Sequence, residues 1–101
     1  VQFLRLAGAD HWTELVAPDG PESHLAAALR KRHGGTHHLC YEVDDIAAAC
    51  ERLRAGDMML VAAPVPAVAF GGRRIAWLMD ANCLLVELVE AGPGPLSLSP
   101  R

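Results

Sequence analysis

Gly34-Gly35-Thr36-His37-His38-Leu39-Cys40-Tyr41-Glu42-Val43-Asp44-Asp45 is the stretch whose reading decides the fold. It opens on two glycines, alternates through seven residues as a strand does, and closes on two aspartates that can start a helix. Alternation puts His38, Cys40 and Glu42 on one face and Leu39, Tyr41 and Val43 on the other. The second face is apolar enough to pack on a helix. The first carries a histidine into a differently lined space, an unusual way to build a plain core strand.

On either side, period and punctuation define the neighbours. Val1–Leu6 and His11–Ala17 alternate around Gly8-Ala9-Asp10, which predicts a hairpin with Trp12, Glu14 and Val16 on one face. Residues 22–33 predict a helix with Asp19 or Gly20 as its cap, Pro21 near its first turn, and Leu25, Ala28 and Leu29 as its apolar stripe. Arg30, Lys31 and Arg32 fall in its last turn, where cations complement the helix dipole, and Gly34-Gly35 ends it. After the central strand, Asp44 or Asp45 caps a second helix with Ile46, Ala49, Cys50 and Leu53 on one face, ended by Gly56. Met58–Ala62 is expected as a short strand, Pro64–Gly72 as an irregular loop, Arg73–Met79 as a strand, Asp80-Ala81-Asn82 as a turn and Cys83–Val89 as the last strand. Thr13-Glu14-Leu15-Val16 is similar to Val86-Glu87-Leu88-Val89, a short match that hints at an internal repeat with a first copy cut short.

Composition narrows the function classes. A chain of 101 residues, 51% hydrophobic and 21% charged, reads as one globular domain without a membrane-spanning run. A net charge of -3 argues against nucleic acid, which needs a concentrated basic face. No basic region precedes a long apolar segment at the start, so no signal peptide is expected. Cys40, Cys50 and Cys83 show no close paired spacing and read as buried reduced thiols of a cytoplasmic protein.

Glu14, His38 and Glu87 each lie on a strand, on the face opposite the helix-packing one. One imidazole with two carboxylates suits a divalent ion such as zinc, manganese, cobalt or nickel. The plainer alternative is that strand glutamates face solvent and the histidine is structural. His37 takes the packing side and is expected to make a structural or supporting hydrogen bond, while His11, His24 and His33 are read as solvated.

The run at 34–46, the Gly-Gly-Arg-Arg-Ile-Ala-Trp-Leu at 71–78 and the Leu-Val-Glu-Leu-Val-Glu at 85–90 resemble the vicinal oxygen chelate (glyoxalase/bleomycin resistance/dioxygenase) superfamily. Within it the double-histidine strand most resembles methylmalonyl-CoA epimerases and glyoxalase-like relatives, and Thr13–Pro18 resembles the segment that closes the first module. The resemblance implies an α+β fold of paired βαβββ modules around a divalent metal, here over residues 1–90. Residues 1–33 would be the remnant of an incomplete first module, 34–90 the complete second, and 91–101 a flexible tail. It implies Glu14, His38 and Glu87 as metal ligands, Glu87 also as a catalytic carboxylate, and Trp12, Cys40, Phe70 and Trp77 as substrate-lining residues. The family's fourth ligand, a histidine, and the epimerases' catalytic glutamate have no counterpart, because the chain enters at what resembles the first module's third strand.

Two functions are implied. One is a metal-dependent isomerase or lyase that enolises a carbon beside a metal-bound carbonyl, with Phe70 and its loop closing over the site. The other is a non-catalytic, antibiotic-type binding protein of the same fold, in which Trp12, Tyr41, Phe70 and Trp77 matter more than the carboxylates. Either takes a small molecule, with no membrane or nucleic-acid partner. The missing strands leave an edge and a sheet face for which a homodimer is the economical cover.

Overall fold

The computed structural model describes residues 1–96 and Leu98. It divides into two units, Val1–Thr36 and His37–Leu98. Among the described residues they hold two sheets and two α-helices, the mixed α+β class that the sequence implies.

The first unit carries an antiparallel hairpin, β1 (Gln2–Leu4) and β2 (Thr13–Leu15), with Phe3 opposite Glu14. Both strands are shorter than their alternation suggests. Helix α1 (His24–Arg32) is capped by Ser23, whose hydroxyl accepts from the Leu25 N–H at 3.1 Å, rather than by Asp19 or Gly20. A serine hydroxyl at the cap position directly before the helix reaches the N–H of the second helical residue, one of the donors without an intrahelical partner. The helix also stops earlier than its glycines: His33 itself takes the left-handed C-cap, at φ 56°. Gly34 and Gly35 follow at φ 109° and 104°, values that a side chain would strain. Of the expected stripe, Leu29 is exposed and the buried residue is Ala26.

The second unit is a complete βαβββ module. It comprises β3 (His38–Val43), α2 (Ile46–Ala55), β4 (Met59–Pro66), β5 (Arg74–Met79) and β6 (Leu85–Glu90), in the sheet order β3-β6-β5-β4. Asp45 caps α2, its carboxylate accepting from the Ala48 N–H, and Gly56 ends it. Ile46, Ala49 and Cys50 pack against Ala76, Leu78, Val86 and Leu88 on one face of the sheet, with Leu53 alongside. This is the face the 3.6-residue period marks.

Three expectations are corrected here. Pro64–Gly72 is not a single irregular loop: β4 runs on to Pro66 through two register shifts, and Val68–Phe70 forms a 3-10 helix. Proline is tolerated because β4 is an edge strand, where a missing N–H costs no ladder bond. Of the three thiols only Cys50 is buried, while Cys40 and Cys83 are exposed. Burial, followed by the charge of Glu51, pushes the Cys50 thiol above its ordinary pKa. On β3, Leu39 and Tyr41 are exposed, because that strand lies at the other edge of the sheet.

A device that periodicity does not announce ties α2 to the sheet. Glu90 accepts from the Ile46 N–H at 3.2 Å and takes both arms of Arg74, at 3.1 and 2.9 Å. The last strand thereby satisfies a free donor at the start of the helix. Of the tail expected over 91–101, Ala91 donates to the Val43 carbonyl, and Arg73 reaches the Gly94 and Pro95 carbonyls while pairing with Glu42. Residues 97 and 99–101 lie outside the described residues.

The Arg74 hydrogen bonds, followed by the Ile46 N–H, hold the Glu90 carboxyl below the usual carboxylate range. A depressed folded-state pKa means that Glu90 adds stability at neutral pH. The contribution shrinks as pH falls through the ordinary glutamate range and is lost once the folded carboxyl protonates. Urea midpoints measured from neutral to acid pH should fall less steeply in Glu90→Gln than in the parent, from a lower neutral value; parallel curves would refute the assignment.

Candidate functional site

The face of the module's sheet away from α2 is set by register. Cys40 of β3 and Trp77 of β5 both stand opposite Glu87 of β6, so these three residues share one face, with His38 two positions before Cys40 on the same side. Glu87 is 1% exposed, the buried charged residue of a core otherwise built from apolar side chains. A carboxylate taken that far out of water requires compensation.

His38 supplies part of it. Its Nε2 lies 3.4 Å from Glu87 Oε1, with the His38 side chain 10% exposed. The Trp77 ring meets the His38 ring edge-on at 4.8 Å between centroids and an interplanar angle of 75°. On the other side of the imidazole, His37 Nδ1 approaches His38 Nδ1 to 2.8 Å. His37 precedes the first residue of β3, so the strict alternation of the strand does not yet govern its ring. The second oxygen of Glu87, Oε2, is fully buried and has no hydrogen-bond partner among the described residues.

Both features suit a divalent cation. Nitrogen and oxygen ligands held about 2.0–2.2 Å from a tetrahedral ion are about 3.3–3.6 Å apart, a range that includes the 3.4 Å between His38 Nε2 and Glu87 Oε1. The partnerless carboxylate oxygen is the group a cation would satisfy. Among the described residues no group of three or more His, Cys, Asp or Glu side chains is arranged to hold a metal ion, so the module's own contribution is this pair.

The other expected site residues are placed as follows. Glu14 is half-buried in the middle of β2, within the first unit. Trp12, also in that unit, is 38% exposed, with the Arg5 guanidinium 5.5 Å above its ring. Cys40 is exposed on the His38 face. Phe70 is 5% exposed in the 3-10 helix and is thus a packed residue. The face of Trp77 is what sequence alternation leaves open, and the register of β5 against β6 is what decides it.

The βαβββ module with a buried His–Glu pair across its first and last strands belongs to the class of small α+β proteins built on this repeat. The model of the Glyoxalase/Bleomycin resistance protein/Dioxygenase superfamily matches residues 1–77, and the chain belongs to that superfamily. The chain is 40% identical over 80 residues to an ethylmalonyl-CoA/methylmalonyl-CoA epimerase from Cereibacter sphaeroides, covering 76% of this chain and 60% of that protein. A mitochondrial methylmalonyl-CoA epimerase from Dictyostelium discoideum is 38% identical over 80 residues, covering 76% of this chain and 48% of that protein. The crystal structure of methylmalonyl-CoA epimerase from Mycobacterium tuberculosis matches with a TM-score of 0.74 and 34% identity, over 90% of this chain and 61% of that one. The chain thus spans about half to three-fifths of the length of these relatives.

A buried carboxylate with one oxygen lacking a hydrogen-bond partner is an element kept at a cost in stability, of about 1–3 kcal/mol for such a group. In metal-free protein Glu87→Gln is therefore expected to be neutral or stabilising by up to about 1 kcal/mol, read from denaturant midpoints. A loss above about 2 kcal/mol would mean that the carboxylate is a structural member of the core.

Proposed function

We propose that the chain carries the proton-abstraction half of an epimerase of the methylmalonyl-CoA type, dependent on a divalent ion such as zinc, cobalt, manganese or nickel. The observation that carries this reading is the buried His38–Glu87 pair with its partnerless Oε2. The relatives' names supply the substrate class, a CoA thioester whose reacting carbon lies between two carbonyl groups.

His38 and Glu87 would hold the ion, with Glu14 as a third ligand by family resemblance. The ion, when bound, supplies Lewis-acid stabilisation of the negative charge that develops on a carbonyl oxygen. Glu87, aimed from the centre of the sheet, takes the proton from the carbon beside that carbonyl. Trp77 packs on the His38 ring and keeps water from one side of the pair, and Cys40 lines the same face. Trp12 and Phe70 complete the substrate-lining set implied by the family.

The chain's assembly belongs to the same reading. Met59, Val61 and Val65 of the edge strand β4 are exposed, and a second copy is the partner we assign to cover such surface, giving a homodimer in the cytoplasm. Among the described residues no helix is long and apolar enough to cross a membrane.

The test is deuterium uptake from solvent at the acidic carbon of methylmalonyl-CoA, followed by mass spectrometry with and without added cobalt or zinc. Exchange reports proton abstraction by itself and does not require a second group to return the proton on the opposite face. Ion-dependent exchange is expected, falling by about 100-fold or more in Glu87→Gln and in His38→Ala. Exchange unaffected by both substitutions would refute the assignment. Tight ligand binding without exchange or ion dependence is the result that the sequestering alternative requires.

A further inference from the structure

We infer that the module carries a second ligand site, on the opposite face of its sheet from the His38–Glu87 pair, for a small apolar molecule bearing one carboxylate. The site is a cavity of about 390 Å³ between α2 and the β3–β6 side of the sheet. It exists because of where the helix sits. α2 packs on β4, β5 and β6, and β3 is left at the margin of that cover, with Leu39 and Tyr41 exposed. The seam between the helix and the edge strand stays open.

This cavity lies directly behind the candidate site. Val86 and Leu88 form part of its floor, while Glu87 between them faces the other way, towards His38. Val43, Leu53, Met58 and Leu84 supply further apolar wall. At about 30 Å³ for each water-sized group, the volume holds about a dozen heavy atoms, and an eight-carbon fatty acid has about ten. Small-molecule sites have this character, mostly apolar with a few polar groups that fix orientation.

The polar groups select the ligand's charge. Tyr41, Arg52 and Asp80 line the cavity. Asp80 Oδ1 is committed to its own turn, accepting from the Asn82 and Leu84 N–H groups at 2.9 Å each. Arg52 is different. Arg54, Arg73 and Arg74 of the same unit each pair with a carboxylate, at 3.6, 2.9 and 2.9 Å. Among the described residues Arg52 pairs with none, and it is exposed, one position before the wall residue Leu53. A cation without a counter-charge thus stands at the rim of an apolar cavity. Apolar walls retain a hydrocarbon chain, and a guanidinium holds a carboxylate by two parallel hydrogen bonds.

The test is an NMR titration of the whole chain, 13C-labelled at its methyl groups, with sodium octanoate, repeated with octan-1-ol and with octylammonium chloride. Saturable shifts are expected at Val43, Leu53, Met58, Leu84, Val86 and Leu88, with octanoate binding about 3- to 10-fold more tightly than octan-1-ol. Arg52→Gln should abolish that preference and leave octan-1-ol binding unchanged; Arg52 is exposed on α2, so its replacement leaves the core intact. No saturation below about 10 mM, shifts centred instead on Met59, Val61 and Val65, or equal affinity for octanoate and octan-1-ol would each overturn the site. A preference for octanoate that persists in Arg52→Gln would remove Arg52 from it and overturn the assignment. Tighter binding of octylammonium would place the selection at Asp80 and exclude a carboxylate ligand. The titration reads binding alone, so its outcome is independent of whether the His38–Glu87 pair takes up an ion or abstracts a proton.

Discussion

Everything in the His37–Leu98 unit depends on β6 having a hydrogen-bonded neighbour on each edge. The strand is paired in parallel with β3 and antiparallel with β5, so its backbone is satisfied on both sides and its side chains are buried on both faces. One face feeds the apolar core with α2. The other holds a carboxylate at the centre of the sheet, where water does not reach it and the position of each neighbour is fixed by register. The first strand of the module brings His38 to that carboxylate and the third brings Trp77. Without β6 between them, β3 and β5 would have no reason to be adjacent.

What the sequence makes legible follows from this arrangement. The helix α2 is readable because Ile46, Ala49, Cys50 and Leu53 recur at helical spacing, with a cap at Asp45 and a stop at Gly56. The faces of β3 are readable because alternation fixes which side His38 takes. Strand register is not a local property, so neither the approach of Trp77 to His38 nor the distance between His38 and Glu87 could be read along the chain. The clamp of Glu90 on Arg74 and the Ile46 N–H is hidden for the same reason. Its three members lie far apart in sequence, and each looks ordinary where it stands.

The misreadings have local causes. Pro64 and Pro66 suggest a break, yet the edge position of β4 lets proline sit in a strand. Leu39 and Tyr41 look like core by their spacing, but an edge strand only partly covered by a helix leaves such residues in solvent. His33 ends α1 because a histidine can adopt the left-handed conformation that its glycine neighbours were expected to supply. In each case pattern gives the element, and the neighbours decide its limits.

The parallel pairing of β3 with β6 also bears on how the module comes to exist. Residues His38 and Leu85 are partners, yet β3 is the first strand of the module to leave the ribosome and β6 the last. Parallel neighbours cannot be joined by a tight turn, so α2, β4 and β5 must all be made before β3 finds the strand it binds. Contacts of that span are slow to form because the intervening loop must be closed first. During synthesis β3 is thus an open edge carrying Leu39 and Tyr41, and the nascent chain is exposed to wrong pairing for as long as the rest of the module takes to emerge.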